Sequence, residues 1–552
     1  MKAAILFVII VISSAVYGQH QHGPATTRTP AKPTVSRDNG LGNVDHPVTT
    51  KSAEAQKYFN QGLAYLYAFN HAEGINSFKQ AAELDPDMAM AYWGISLALG
   101  SNYNATADEA SLTDAYANLQ KAVALAPKAS QAERDYITAL TKRYAQDPRT
   151  DRVRLASEYK TAMGDLAKKY PDDLDAATLY AESMMNLRPW QLWTLDGKPA
   201  EGTLEIVAVL EGVLKRNPNH TGANHYYIHA MEASPNPERA LASAYRLSYL
   251  APNAGHLVHM PSHIYLRTGD WKEAVTSNDK AIVADKNYLA RSGTTSLYAM
   301  MYYNHNIHML AASHVGHGNY AGAIKAARDL EANVAPNLKA MPMLEMFMPY
   351  TLVTLIRFHR ADEIIKYPQP GAEWKMTTAY WRLARGLALT ETGKAAEAEI
   401  ELAALREIVK ATPFDAAMGN SLAQNVLKAA DLMLQGEIEL AKGDAAAAVD
   451  TLRRAVAAED LINYNEPPDF DIPIREWLGR ALLRAGKFAD AESVYRDEIA
   501  KHPKNGRALF GLAEALNKQG KSTSAVLVKR EFETVWKDAD TVLSVNDLYG
   551  RK

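Results

Sequence analysis

Small, aromatic and proline residues recur along this chain at a fixed spacing of 34, and that spacing constrains the fold more than any other feature. Counting a unit from Ala55 puts Tyr58 at place 4, Gly62 at 8, Tyr65 at 11, Gly74 at 20, Phe78 at 24, Ala81 at 27 and Pro86 at 32. A unit from Ala89 has Tyr92 at 4 and Leu99 at 11; after a seven-residue insertion, Ala115, Leu119, Ala122 and Pro127 fall at 20, 24, 27 and 32. The frame returns from Thr221 (Ala240, Pro252), Gly255 (Tyr265, Ala274, Ala281), Ala429 (Gly436, Ala448, Ala455), Ile472 (Gly479, Ala491, Pro503) and Gly506. Weaker units start near Ser130, Leu174, Asn304 and Ala379. From residue 52 on, the chain is rich in Ala, Leu and Glu with a helical apolar period, so each unit predicts two helices. Small residues at 8 and 20 let the two approach, bulky ones at 4, 11 and 24 fill the space between, and proline at 32 ends the second.

This frame resembles the tetratricopeptide repeat superfamily, over residues from about 52 to 540. The resemblance implies an all-α fold, a right-handed α-solenoid of about ten to twelve helix pairs whose first helices line the concave side. A weak stretch at 338 to 370 is where the expected solenoid divides, into an N-terminal arm over 47–360 and a C-terminal arm over 361–545. The superfamily is known mostly for holding peptides and protein partners in its groove, so a binding module is one functional class the resemblance implies. The runs NHYYIHAMEAS and GHLVHMPSHIYLRTGDW look like a group of exported bacterial repeat proteins, a likeness that supplies no reaction.

Histidine is concentrated in one part of the frame. Ten of the sixteen lie between residues 220 and 317, where an even scatter would leave about three. His225 and His229 stand at places 5 and 9 of the unit from Thr221, and His259 and His263 stand at the same places one period on. His256 is at place 2 of its unit; His305 and His308 are at 2 and 5 of the unit from Asn304. Places 2, 5 and 9 are three and four apart and form one stripe along the first helix. In the superfamily that stripe faces the groove, and helices packed about 8–10 Å apart let imidazoles reach across to share an ion.

Gathered imidazoles depress one another's basicity unless something compensates. A metal ion does so most simply; an acid–base or anion-binding cluster and plain polar contacts are the other readings. His225, His229, His256, His259, His263, His305 and His308 are therefore the candidate metal ligands. Their all-nitrogen set suits zinc, copper, iron, nickel or manganese, held as a divalent or redox ion. Seven rings could support two ions, as in coupled dicopper sites, or one ion on His225, His229, His259 and His263. An open coordination position would let a metal-bound water hydrolyse a substrate or a redox metal oxidise one. Counting from Leu174 puts Glu182 at place 9, next to His229, as a ligand, a partner orienting an imidazole or a catalytic base.

Two insertions adjoin the stripe. Residues 187–202 carry Trp190, Trp193 and Asp196, and residues 289–303 carry Tyr298, Tyr302 and Tyr303. Each is read as a lid or as aromatic area buried on the rim. Met231, Met260, Met309 and MPMLEMFM (341–348) cluster nearby; thioethers suit Cu(I), though methionine at helical spacing is also ordinary core. The rival reading, a non-enzymatic scaffold of the cell envelope gripping a peptide, a protein or a small molecule, rests on the C-terminal arm. There Glu476 and Arg480 hold groove places 5 and 9, and YNEPPDFDIP (464–473), with Tyr464, Asn465, Glu466 and Asp469, forms a contact loop or a plain connection.

Composition narrows the field. A net charge of −3 lacks the positive excess that nucleic acid demands, and the absence of cysteine removes disulfides, thiolate metal sites and cysteine nucleophiles. No phosphate-cradling glycine loop, GxSxG or HExxH is present. Residues 1–18, with one lysine, a short apolar run and small residues before Gly18, predict a cleaved export signal and hence a secreted or periplasmic protein without a stable membrane anchor. Residues 19–46, rich in Pro, Thr and Gly, predict a disordered linker in which His20 and His22 could hold metal loosely.

Overall fold

A computed structural model describes residues 35–292 and 296–549. The expected export signal, most of the expected linker with His20 and His22, and three residues of the insertion at 289–303 lie outside the described residues. Among the described residues no helix is long and apolar enough to cross a membrane.

The fold is an all-α solenoid. The described helices run as twelve successive pairs, from Ala53–Tyr67 with His71–Leu84 to Gly506–Lys518 with Ser522–Val535. The repeat places explain their packing. Phe78, at place 24, is fully buried between Gly62, at place 8 of its own unit, and Gly94, at place 6 of the next; a Cβ at either glycine would lie 2.6 Å from its ring. The C-terminal end repeats this device, with Tyr495 at place 24 wedged between Gly479 and Gly511, where an added Cβ would come within 2.4 and 2.2 Å of the ring. Each aromatic side chain thus locks one pair to the next, and the absent methyl makes room for it.

Buried apolar side chains form two large clusters, one spanning Leu41 to Ile264 and one spanning Ile307 to Leu548. The histidine-rich repeats lie at the seam. The C-terminal pairs fold back onto that seam: Trp271 Nε1 donates to Lys504 O at 3.2 Å, Lys504 pairs with Asp270, and Arg507 donates to Val315 O at 3.1 Å. Residues far beyond the histidine repeats are thereby carried to them.

Residues 37–46 correct the expectation of a disordered linker. Leu41 is buried in the first cluster, Asn253 donates its backbone N–H to Gly40 O at 2.9 Å, and His46 Nδ1 lies 2.8 Å from Asp175 Oδ2. A segment without helical period can still be held by backbone bonds and single side chains that composition does not register. One small sheet was also not foreseen, a hairpin pairing Ala417–Met418 with Ser421–Leu422.

Replacing Phe78 by Ala leaves a cavity between two glycines that cannot collapse easily, so it should cost about 3–5 kcal/mol, read as a lowered urea midpoint of the N-terminal transition. A loss below ~1 kcal/mol would contradict the wedge.

Candidate metal centre

Three first helices supply the site. Thr221–Met231 starts at His220, whose Nδ1 accepts the Ala223 N–H at 3.1 Å, and it carries His225 and His229 one turn apart. The next runs as Gly255–His259 and then Pro261–Thr268, because Pro261 has no N–H to continue the ladder. His259 and His263 flank that break. Gly255 sits so close to Asp285 that an added Cβ would lie 1.8 Å from Oδ1. Asp285 accepts from Tyr298 Oη at 2.8 Å and Asn306 Nδ2 at 2.6 Å, while Tyr298 Oη accepts the His256 N–H at 3.1 Å. Tyr298–Tyr303 is a π-helical turn leading into Asn304–His317; it sets the Tyr302 ring edge-on to His256 at 4.8 Å and leaves His305 at 4.7 Å from His259.

Six of the seven candidate histidines form two adjoining triads, His225 with His229 and His256, and His259 with His263 and His305. In each, one nitrogen per ring lies within 4.8 Å of the other two. His225 Nε2 stands 3.1 Å from His256 Nε2, and His259 Nε2 stands 2.8 Å from His263 Nε2. Two nitrogens bonded at ~2.0–2.1 Å to one ion, at angles of about 90–110°, lie roughly 2.8–3.4 Å apart. The outer nitrogens are engaged: His225 Nδ1 donates to Tyr67 O at 2.6 Å, His229 Nδ1 to Glu232 Oε1 at 2.9 Å, and His259 Nδ1 to Asn278 Oδ1 at 2.7 Å. Asn278 is oriented for this by donating its amide to Ala274 O at 2.9 Å. Each such bond places the proton on Nδ1 and leaves a lone pair on Nε2.

Two facing lone pairs in a buried site repel unless a proton or a cation lies between them. Burial, with the charges of neighbouring rings, holds His225, His256, His259 and His305 well below the ordinary histidine range, so these rings are neutral at pH 7. His263 is the exception. Burial opposes its charge, but Glu232 and Glu466 outweigh burial and raise its pKa far above the ordinary value. Its Nδ1 lies 2.6 Å from Glu232 Oε2 and 3.2 Å from Glu466 Oε2, so two carboxylates face the charged ring. Glu232 is lowered in turn, since His263 and His229 outweigh its burial. The proton shared by His259 and His263 therefore belongs to His263.

A cavity of about 440 Å³ opens on the triads, with His229, His256, His263 and His305 in its wall. Both aromatic insertions reach it: Trp190 stacks on Tyr103 at 5.4 Å and stands edge-on to His229 at 5.9 Å, and Tyr302 covers His256. Trp193 turns away to donate to Ala230 O at 2.7 Å. The loop at 464–471 closes the far side with Asn465, Glu466 and Asp469, so it is a wall of this cavity, and its other side lines a second cavity with Arg267 and Trp271. The hairpin turn joins it at Gly419, where φ is +56° and a Cβ would strike Asp469.

Other expected residues are placed elsewhere. His308 lines the cavity but belongs to neither triad, packing edge-on to Tyr350 at 4.3 Å. Glu182 lines no part of the cavity; it accepts from Asn186, faces the positive Arg143, and burial raises its pKa. The carboxylate beside His229 is instead Glu232, three residues along the same helix. Met231, Met260 and Met309 are fully buried away from the cavity, whereas Met343 and Met346 line it. Glu476 and Arg480 are taken up in buried pairs, with Arg357 at 2.8 Å and with Glu437.

Two family models, both described as tetratricopeptide repeat, match residues 55–88 and 478–531. This chain carries tetratricopeptide repeats, a class that commonly binds peptides or proteins. Among solved structures it is similar to the human IFIT1 dimer with m7Gppp-AAAA, at 13% identity over 89% of this chain and 92% of that one, with a TM-score of 0.31. The same dimer with PPP-AAAA gives 12% identity, 88% and 92% coverage and a TM-score of 0.32. The P58(IPK) TPR domain gives 15% identity over 79% of this chain and 99% of that one, with a TM-score of 0.22. No curated protein sequence matches.

The electrostatics make a direct prediction. A divalent ion entering the second triad at pH 7 displaces the His263 proton and finds the other rings already neutral, so metal loading should release about one proton per chain. Calorimetric titration in buffers of different ionisation enthalpy measures this; a release of three or more would contradict the assignment.

Proposed function

We propose that this protein is an exported helical-repeat protein holding a dinuclear metal centre on six imidazoles, and that it acts as an oxidoreductase on a small molecule bound beside them. The observation that carries this reading is the pair of triads with Nε2 atoms 3.1 and 2.8 Å apart and outer nitrogens tied to Tyr67, Glu232 and Asn278. Bonds of this kind from an outer nitrogen fix the tautomer and orientation of a metal-binding imidazole. Neither triad includes a carboxylate: Glu232 and Glu466 sit at the outer nitrogen of His263. An all-imidazole set disfavours magnesium and calcium, and divalent copper binds such sites more tightly than zinc, iron or manganese.

A bound copper pair would supply one-electron steps and oxygen chemistry to a substrate. The chain's own part is to hold and enclose. Trp190 and Tyr302 cover the triads and limit water, Glu232 fixes His229, and Asp285 through Tyr298 fixes the backbone of His256. Partner binding along the repeats is compatible with this reading, since the tetratricopeptide matches at 55–88 and 478–531 lie outside the three histidine helices.

Protein purified without an affinity tag should contain about two ions per chain by elemental analysis, copper before zinc or iron. His225→Ala and His259→Ala should each remove about one ion while the helical circular dichroism persists. Metal-free protein that takes up no copper, zinc or iron on titration would overturn the reading.

A further inference from the structure

Several buried polar atoms of the cavity wall have no hydrogen bond, and one of them, on His308, belongs to neither triad. His308 is 8% exposed, and its Nε2 is buried without a hydrogen bond, although the ring is held edge-on by Tyr350 at 4.3 Å and Phe347 at 5.6 Å. An unpaired polar atom in such a place costs free energy unless something occupies it. The rest of the cavity indicates what that is. Among the described residues neither lysine nor arginine lines it, and its one charged imidazole, His263, is already held between Glu232 and Glu466, so the metal-free cavity has no free cation for an anion. Its acids are already engaged: Asp469 accepts from Asn465 at 2.6 Å, Asp471 from Tyr350, and Glu466 lies against His263. The same cavity wall has an apolar and aromatic part, with Met343, Met346, Phe347 and Tyr380 in it and Phe347 against His308. Thioethers and ring edges of this kind favour a flat aromatic guest.

We infer that this cavity binds an uncharged aromatic molecule bearing a hydroxyl, with the ring against the methionine and phenylalanine wall and the hydroxyl donating to the His308 imidazole. The inference rests on the metal-centre reading for the role of that molecule as substrate, but the binding itself needs only His308 and the wall. A volume of about 440 Å³ accommodates one or two fused rings with room for substituents. Burial keeps His308 neutral, as an acceptor must be, with its pKa pushed down to about 3.

The test is calorimetric titration of the full chain, metal-free and metal-loaded, with 2-naphthol, naphthalene and 2-naphthoate. The expected result is one 2-naphthol site per chain in both forms, with naphthalene roughly tenfold weaker in both and 2-naphthoate roughly tenfold weaker in the metal-free chain. His308→Phe should bring 2-naphthol down to the level of naphthalene, and His308→Gln should restore part of the difference. Met346→Trp, which fills the cavity, should abolish binding of all three even if the His308 variants fold poorly. No saturable 2-naphthol binding, equal affinity for 2-naphthoate in the metal-free chain, or an unchanged affinity in a folded His308→Phe variant would each overturn the inference. Metal uptake is counted separately. Binding of 2-naphthol by a chain that takes up no metal would sink the metal centre and leave this site standing, and the opposite outcome would do the reverse.

Discussion

An imidazole that gives its Nδ1 proton to a fixed acceptor must turn a lone pair on Nε2 toward whatever lies opposite, and in this protein what lies opposite is another imidazole. His225 is committed in this way to the Tyr67 carbonyl and His259 to Asn278. In a dry interior the gap between such rings demands a proton or a cation. The surrounding structure is arranged around that demand. At place 24, where Phe78 and Tyr495 lock other repeats together, the histidine repeat carries Asn278, and at place 8, where those repeats have glycine, it carries Ser262. An apolar wedge is thus replaced by a polar residue that orients His259, and packing strength is lost in the repeat that holds the site.

The solenoid serves as the positioning device. Three successive first helices deliver six rings to adjoining triads without long-range pairing of strands or loops, because each repeat presents the same stripe to the same side. What a single stripe cannot supply comes from elsewhere in the chain. The Tyr67 carbonyl belongs to the last turn of the first described helix, where carbonyls have no partner in their own helix. Glu466 arrives from the loop at 464–471, carried there when the C-terminal repeats fold back through Lys504 and Arg507. The polar seam between the two apolar clusters is where both contributions meet, and the charge on His263 depends on Glu466 from the C-terminal repeats as well as on Glu232.

Much of this was legible in the sequence wherever it was periodic. The helix pairs, their number and the convergence of His225, His229, His256, His259, His263 and His305 all follow from one spacing. Features that depend on single approaches were not. Glu182 was placed by extending the frame across a weak unit, and it stands beside Arg143, while Glu232, three residues beyond His229, was within reach of the helical-face argument that found the histidines. Glu466 and Asn420 come to the cavity through a loop and a hairpin that carry no repeat signal. The packed segment at 37–46 looked like a linker because its composition records neither Leu41 in the core nor the bond from Asn253 to Gly40.

The most direct measurement is anomalous diffraction from crystals of the metal-loaded chain, collected at the absorption edge of the bound ion. Two peaks are expected, one enclosed by His225, His229 and His256 and the other by His259, His263 and His305. Peaks confined to surface carboxylates, or rings whose nitrogens turn away from any peak, would contradict the shared-ion account.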